Sequence, residues 1–132
     1  NISHGGNKAF FAPSPDKIAM PHPEQFKNLE NYYATLLHEL THWSGSKKRL
    51  DRSMGKRFGD NAYAAEELVA EMGAAFLCAQ HGLKGELQHA DYIQTWLKVL
   101  KEDKRAIFTA ASKATKAAEY LNQFSEIQEQ AA

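Results

Sequence analysis

The chain has 132 residues, of which 43% are hydrophobic, and its 16 basic residues balance 16 acidic ones. This length and composition predict one folded domain over residues 1–132 and exclude a chain that is disordered throughout. A formal charge of zero argues against a general nucleic-acid-binding surface, because such a surface needs an excess of Lys and Arg.

The single cysteine, Cys78, leaves no partner for an intrachain disulfide, which suits a reducing setting. We expect Cys78 to be a small buried residue. The sequence shows neither an apolar run long enough for a transmembrane helix nor a signal segment. Because Asn1 rather than Met opens the chain, we expect it to be a fragment of a longer protein.

Residues 1–23 are predicted to be extended structure with turns. Two short apolar runs, residues 8–12 and 17–20, are separated by a segment with two prolines. This pattern predicts a small β-hairpin.

Helical spacing of hydrophobic residues begins at about residue 24 and continues to residue 44, where Gly45 suits a helix C-terminus. Residues 46–59 are polar and basic, contain two glycines, and predict a loop. The simplest interpretation of this loop is a solvated surface. Contact with nucleic acid or an acidic partner is the alternative.

Three further helices are predicted over about residues 61–81, 90–101 and 104–124, closed by Gly82 in the first case and capped by Asp103 in the last. The apolar stripe of the first of these is Leu68, Met72, Ala75, Phe76 and Ala79. Residues 125–132 are polar and are expected to be a flexible tail. These elements predict an α+β, mainly helical fold with a small N-terminal hairpin or sheet followed by about four helices.

The first predicted helix carries the motif His38-Glu39-Leu40-Thr41-His42. Two histidines four residues apart share a helix face, so both imidazoles can reach one zinc ion at about 2.0–2.1 Å. Glu39 can approach the open position of the metal, take a proton from zinc-bound water and pass it to a leaving amine. The alternative, an exposed polar helix face, is weakened by the hydrophobic residues on both sides of the motif.

A third protein ligand is expected from the next helix, which offers Glu66, Glu67 and Glu71. Glu67 and Glu71 share a face that Ala74 and Cys78 continue with small side chains, so close packing against the first helix is expected. We prefer Glu67 as the ligand and Glu71 as the carboxylate that hydrogen-bonds a ligand histidine; the reverse order is the alternative. Glu66 points about 100° away around the helix and is expected to be a solvated surface charge.

Tyr63 lies one turn before Glu67, where its hydroxyl could stabilise an oxyanion, although a core or rim tyrosine is the simpler interpretation. The remaining histidines are isolated and are expected to be surface or structural residues: His4, His22, His81 and His89.

Residues 32–45, followed by residues 49–52, resemble the C-terminal domain of ArdC-type antirestriction proteins. The same domain accompanies some plasmid TraC-type primases and phage polyvalent proteins. Residues 63–77 and 96–108 resemble two further blocks of this family, and the likeness covers nearly the whole chain.

The resemblance implies a zincin-like metallopeptidase domain with one zinc ion per chain. It assigns metal binding to the two motif histidines, here His38 and His42, and to a glutamate of the second block. Glu67 is the best match, because its spacing to Ala70 resembles other zincins, and Glu71 stays open as the alternative. The single-stranded-DNA-binding module of the family has no counterpart in this chain.

We therefore expect a zinc-dependent peptidase domain of an antirestriction protein that is encoded by a mobile element and acts in the cytoplasm of a bacterial host. Its expected partner is a protein or peptide substrate, with a host defence protein as one candidate; neither strong nucleic-acid binding nor a membrane is expected. Residues 17–20 are the candidate edge strand for aligning a substrate. The alternatives are a non-catalytic antirestriction or interaction module with a structural zinc, and a DNA-associated accessory domain that uses the basic loop.

Overall fold

A computed structural model describes residues 1–52, 61–84 and 93–131 of the chain. In chain order its elements are β1 (Ile2–His4), β2 (Phe10–Ala12), β3 (Lys17–Met20), a 3-10 turn (Pro23–Gln25), α1 (Leu29–Ser44), α2 (Asn61–Gln80), α3 (Ile93–Glu102) and α4 (Ala106–Ala131). The predicted α+β, mainly helical fold is confirmed. Within the described ranges, no helix combines the length and the hydropathy that crossing a bilayer requires.

The small sheet has the strand order β1-β3-β2. β2 and β3 are antiparallel, with Phe11 opposite Ile18, so the predicted hairpin is confirmed. β1 runs parallel to β3 on its other side, with Ile2 also opposite Ile18. β3 is therefore the central strand, and the prediction that residues 17–20 form a substrate-aligning edge is wrong. Both sides of β3 are already paired, so the edges of this sheet belong to β1 and β2.

The turn between β2 and β3 is tied to the end of α1 by Asp16 and Arg49. The Arg49 guanidinium donates two hydrogen bonds to the Asp16 carboxylate, at 2.9 and 2.6 Å. It also lies 3.6 Å from the ring centroid of Trp43 and donates to the Trp43 carbonyl. The Arg49 side chain is only 9% exposed, so the prediction of a solvated basic loop is wrong at this position.

The helix α1 begins at Leu29, later than the predicted start at residue 24. Phe26 has an extended backbone that separates the 3-10 turn from the helix. Asn28 then caps α1, because its side-chain oxygen accepts a hydrogen bond from the Asn31 backbone at 2.8 Å. Gly45 ends the helix, as predicted.

Two hydrophobic clusters hold the elements together. Ile18 and Met20 of β3 pack against Tyr32, which joins the sheet to α1. Val69 of α2 packs against α4 at Ala110 and Ala114. The helix α2 is thereby held between α1 on one side and α4 on the other.

The helix α2 occupies nearly the predicted range, but its buried face differs from the predicted stripe. The buried apolar residues of this helix are Ala64, Val69, Ala70, Ala74, Leu77 and Cys78. The predicted core residue Phe76 is 39% exposed, and Ala75 and Ala79 are exposed as well. The predicted stripe is right at Leu68 and Met72, which pack against the cluster around Val69, and wrong at the other three positions, because the buried face also includes small residues and carboxylates.

The end of α2 and the start of α4 follow local capping chemistry. Gly82 has a φ of 69° after α2, and the Leu83 N–H donates to the Cys78 carbonyl at 2.8 Å, which closes that helix. The Asp103 carboxylate accepts a hydrogen bond from the Arg105 backbone just before α4 begins. The helix α4 continues to Ala131, beyond its predicted end at residue 124. The predicted start of the third helix, at residues 90–92, lies outside the described residues.

Candidate metal centre

Two histidines of α1 lie one turn apart on the helix face that meets α2. His38 is fully buried and His42 is 8% exposed. Their ring centroids are 4.9 Å apart, and the ring planes are inclined by 77°. The spacing of four residues produces this arrangement, because side chains at i and i+4 stack along one helix face.

The Glu67 carboxylate of α2 lies between the two rings. Its two oxygens are each 3.2 Å from one imidazole nitrogen, Oε2 from His38 Nε2 and Oε1 from His42 Nε2. Among the described residues, His38, His42 and Glu67 form a buried group whose potential ligand atoms all lie within 4.8 Å of one another. Tetrahedral zinc with bonds of about 2.0–2.1 Å separates its donor atoms by about 3.3–3.4 Å. The donor types suit zinc, and the two 3.2 Å distances from Glu67 to the rings agree with this separation.

The second nitrogen of each ring faces a different carboxylate. His38 Nδ1 lies 3.2 Å from Glu71 Oε1, and His42 Nδ1 lies 2.9 Å from Glu66 Oε2. The role predicted for Glu71, a carboxylate that hydrogen-bonds a ligand histidine, stays a prediction. Such partners orient an imidazole and select the nitrogen that faces a metal.

The prediction that Glu66 is a solvated surface charge is wrong. Glu66 is 4% exposed and is held by Arg52, whose Nε and Nη2 atoms each donate to one of its oxygens at 2.9 Å. The prediction of a solvated loop also fails at Arg52, since its side chain is 5% exposed. Helical periodicity missed this pair, because the chain returns from the end of α1 and brings Arg52 beside α2. The sequence signal for this pair was the family resemblance, which includes residues 49–52.

The electrostatics of the group favour ionised carboxylates facing the rings. Burial alone would lower the pKa of His42, but hydrogen bonds with Glu66 and Glu67 outweigh it and raise this pKa to about 10. Burial has the same effect on His38, and its contacts with Glu67 and Glu71 give a net rise in its pKa. Burial would raise the pKa of Glu67, yet the two histidines hold it well below its usual range. An ionised carboxylate is the form that binds a cation, whereas the two histidines must give up the added proton before they can bind one.

The remaining predicted site residues lie close to this group in sequence. Glu39 follows His38 in α1 and is 4% exposed, and its negative charge favours the protonated form of His38. Tyr63 is half-buried in the first turn of α2, and its assistance to catalysis stays a prediction.

The histidines outside the motif take surface or structural positions where the structure describes them. His4 Nε2 lies 2.6 Å from the Tyr32 hydroxyl, and its ring stacks on that of His22. His81 is exposed at the end of α2, whereas His89 lies outside the described residues. Cys78 is a free, buried thiol, as predicted, and burial raises its pKa.

A family model described as zincin-like metallopeptidase, MPTase-PolyVal, matches residues 1–113. The chain therefore belongs to this zincin-like metallopeptidase family, and the resemblance predicted from its sequence blocks is confirmed.

Two relatives show how this domain occurs in longer proteins. The uncharacterized protein y4eC of Sinorhizobium fredii is 48% identical over 124 residues, which cover 92% of this chain and 40% of that protein. A DNA primase TraC of Escherichia coli is 44% identical over 133 residues, which cover 98% of this chain and 12% of the primase. The chain thus spans less than half the length of these relatives.

Two crystal structures of the antirestriction protein ArdC from plasmid R388 match this fold with a TM-score of 0.83. The Mn(II)-bound form is 47% identical to this chain and the metal-free form is 46% identical. Each match covers 93% of this chain, and 47% or 45% of the ArdC chain.

Proposed function

We propose that this chain is the peptidase domain of an antirestriction-type protein, in which His38, His42 and Glu67 bind one zinc ion and Glu39 is the general base. One observation carries the proposal. The Nε2 atoms of two buried histidines face the same carboxylate at 3.2 Å, in a family of zincin-like metallopeptidases. A buried carboxylate between two imidazoles is the donor set of many catalytic zinc sites.

Zinc is the proposed metal on grounds of ligand chemistry. Two imidazoles and one carboxylate suit zinc, whereas manganese is usually held by ligand sets richer in oxygen. The ArdC protein of plasmid R388 has been crystallised with Mn(II), so metal preference has to be measured for both ions.

Glu67 is preferred over Glu71 as the third ligand because of the nitrogens that each contacts. Glu67 lies at the Nε2 atoms of both rings, while Glu71 lies at the Nδ1 atom of His38. A single ion can be shared by two Nε2 atoms and Glu67, and Glu71 is then left to orient the His38 ring.

In the proposed mechanism, a bound zinc ion supplies Lewis acidity that polarises a peptide carbonyl and lowers the pKa of a water to about 7. The chain supplies the proton transfers. Glu39 accepts a proton from the attacking water and delivers it to the leaving amine. The burial of His38 and Glu39 limits the access of bulk water, which strengthens the electrostatic interactions among these groups.

The DNA-associated alternative loses support at two of the six basic residues of the loop. Arg49 and Arg52 are engaged in buried pairs with Asp16 and Glu66, so they are not available to phosphates. A protein or peptide substrate is proposed because the family is one of zincin-like metallopeptidases, with a host defence protein as the candidate class.

The test is hydrolysis by the purified, zinc-loaded chain. Random peptide libraries and the proteome of a restriction-bearing bacterial host serve as substrates, and mass spectrometry detects new peptide termini. We expect Glu39→Gln and Glu39→Ala to keep one zinc ion and to lose about 10²–10⁴-fold of the rate, the usual contribution of a general base. His42→Ala is expected to lose the metal.

The matched control is Glu24→Gln, which neutralises an exposed carboxylate in the 3-10 turn and should leave zinc content and rate unchanged. Hydrolysis retained by zinc-loaded Glu39→Ala contradicts the mechanism. A wild-type chain that binds zinc, cleaves nothing and unfolds on chelation instead supports the non-catalytic module with a structural zinc.

A further inference from the structure

Arg52 is a buried arginine whose guanidinium joins α1 to α2. It donates to both oxygens of Glu66, to the Thr41 carbonyl at 2.6 Å and to the Ser44 hydroxyl at 3.1 Å. The Arg52 and Glu66 side chains are only 5% and 4% exposed. Two opposite charges that are buried together need this degree of hydrogen bonding to offset their desolvation.

The turn after α1 is built around this guanidinium. The Arg52 N–H donates to the Gly45 carbonyl at 2.9 Å, which folds the chain back over the helix end. A Cβ atom on Gly45 would lie 2.5 Å from the Arg52 Nη2 atom, so only glycine leaves room for the guanidinium there. The guanidinium therefore lies against the Gly45 backbone as well as against the Glu66 carboxylate.

Glu66 links Arg52 to the candidate metal-binding residues His38, His42 and Glu67 (the metal group). Its Oε2 atom, which accepts from Arg52, also lies 2.9 Å from His42 Nδ1. When that nitrogen carries the proton, the lone pair of His42 is left on Nε2, the atom that faces Glu67. An ion pair with a purely structural role would not require a carboxylate oxygen to lie against a ring of the metal group.

We propose that Glu66 and Arg52 are positioning residues for His42, which hold its ring and its Nδ1 proton so that Nε2 is presented to a metal ion. This inference rests on the proposed metal site. It assigns to the two residues a contribution to metal affinity that is separate from Glu39 and from hydrolysis. Carboxylate partners of metal-bound histidines usually contribute about 10–100-fold to affinity.

The test measures zinc affinity by competition with a chromophoric chelator, using the purified chain. Glu66→Gln keeps the size of the side chain and removes the charge. The double variant Arg52→Gln with Glu66→Gln also removes the arginine, so that no unpaired buried charge endangers folding. We expect both variants to bind zinc about 10–100-fold more weakly than the wild type.

A matched control separates positioning from general stability. Arg49→Gln breaks another largely buried arginine–carboxylate pair, which contacts Asp16 and not the metal group. It should leave zinc affinity unchanged, even if it lowers the melting temperature as much as the double variant does.

A proton NMR spectrum of the zinc-loaded chain provides a measurement that does not depend on the stability of the fold. The His42 Nδ1–H should give a far-downfield signal in the wild type, because its acceptor is a carboxylate. In Glu66→Gln that signal should move upfield or be lost to exchange.

Each outcome bears on one of the two proposals. Wild-type zinc binding with unchanged affinity in both Glu66 variants overturns the positioning role and leaves the proposed function standing. An equal loss of affinity in Arg49→Gln overturns it too, since the effect is then one of stability. Absence of zinc binding by the wild type overturns the proposed metal site, and the positioning role with it.

Discussion

Gly73 of α2 lies directly against Thr41 of α1. A Cβ atom on Gly73 would come within 2.7 Å of the Thr41 Cγ2 atom, closer than non-bonded carbon atoms approach in proteins. Thr41 is fully buried and immediately precedes His42, while Gly73 follows Glu71 by two residues. The helix separation at this contact therefore controls the distance between the imidazoles on α1 and the carboxylates on α2.

Gly73→Ala is expected to push α1 and α2 apart. Overpacking of this kind typically costs about 1–3 kcal/mol, and the better helix propensity of alanine returns about 0.5–1 kcal/mol. We expect a net destabilisation of about 1 kcal/mol, measured by urea unfolding, together with weaker zinc binding.

The companion variant Thr41→Ala removes the two atoms that clash with the added methyl group. The Thr41 hydroxyl bonds only within its own helix, to the Leu37 carbonyl, among the contacts that the structure describes. Gly73→Ala combined with Thr41→Ala should therefore recover stability and zinc affinity relative to Gly73→Ala alone. If Gly73→Ala by itself matches the wild type in both measurements, the helix contact does not set the geometry of the group.

The order of the two glutamates is tested by Glu67→Gln and Glu71→Gln. We expect Glu71→Gln to weaken zinc binding by about 10–100-fold, as loss of a partner of a ligand histidine does. Glu67→Gln should weaken it more, because a ligand itself is lost. Zinc affinity by chelator competition and zinc content after dialysis distinguish the two. The reverse order of effects would make Glu71 the ligand.

Metal removal is expected to leave the domain folded. The contact of Gly73 with Thr41 and the cores around Ile18 and Val69 do not depend on a metal ion. After chelation, circular dichroism should show a helical spectrum and a cooperative melt at lower temperature. Free zinc at about 1,000 times its dissociation constant should restore about 4 kcal/mol. Loss of the cooperative melt on chelation would contradict this expectation and favour a structural zinc.

The sequence could predict which side chains gather at the candidate site where the information is local. His38 and His42 share a face because of helical geometry, and Glu67 with Glu71 follows from the same rule on α2. The pair of Arg52 and Glu66 depends on how the chain turns back after α1, and no periodicity encodes that path. Helical periodicity alone places a charged residue on the side of a helix at the surface, because it does not show whether a third segment of the chain covers that residue.

The same distinction holds for the fold. The hairpin of β2 and β3 was predictable because its strands are joined by a short turn. The parallel pairing of β1 with β3 links residues far apart in the chain, and a strand of three residues carries no usable alternation. Missing this pairing led to the wrong prediction that β3 is an edge strand.

The ion pair between Asp16 and Arg49 should make the free energy of unfolding depend on pH in the acid range. Hydrogen bonds from Arg49 and then Lys48 hold the pKa of Asp16 well below its ordinary value of 3.8. A carboxylate with a lowered pKa stabilises the fold when the pH is above its unfolded-state pKa, and this contribution is lost as the pH falls toward its folded-state pKa.

Asp16→Asn isolates the charge, since asparagine also tolerates the left-handed backbone at this position, where φ is 53°. Urea unfolding should show the wild type more stable than Asp16→Asn by a constant margin above about pH 5, and the margin should shrink as the pH falls below about 4. Lys27→Gln is the control, because it removes an exposed lysine that is not among the groups lowering the pKa of Asp16, and it should leave the margin unchanged. A margin that stays constant across this range would show that the Asp16 carboxylate is not held ionised by Arg49.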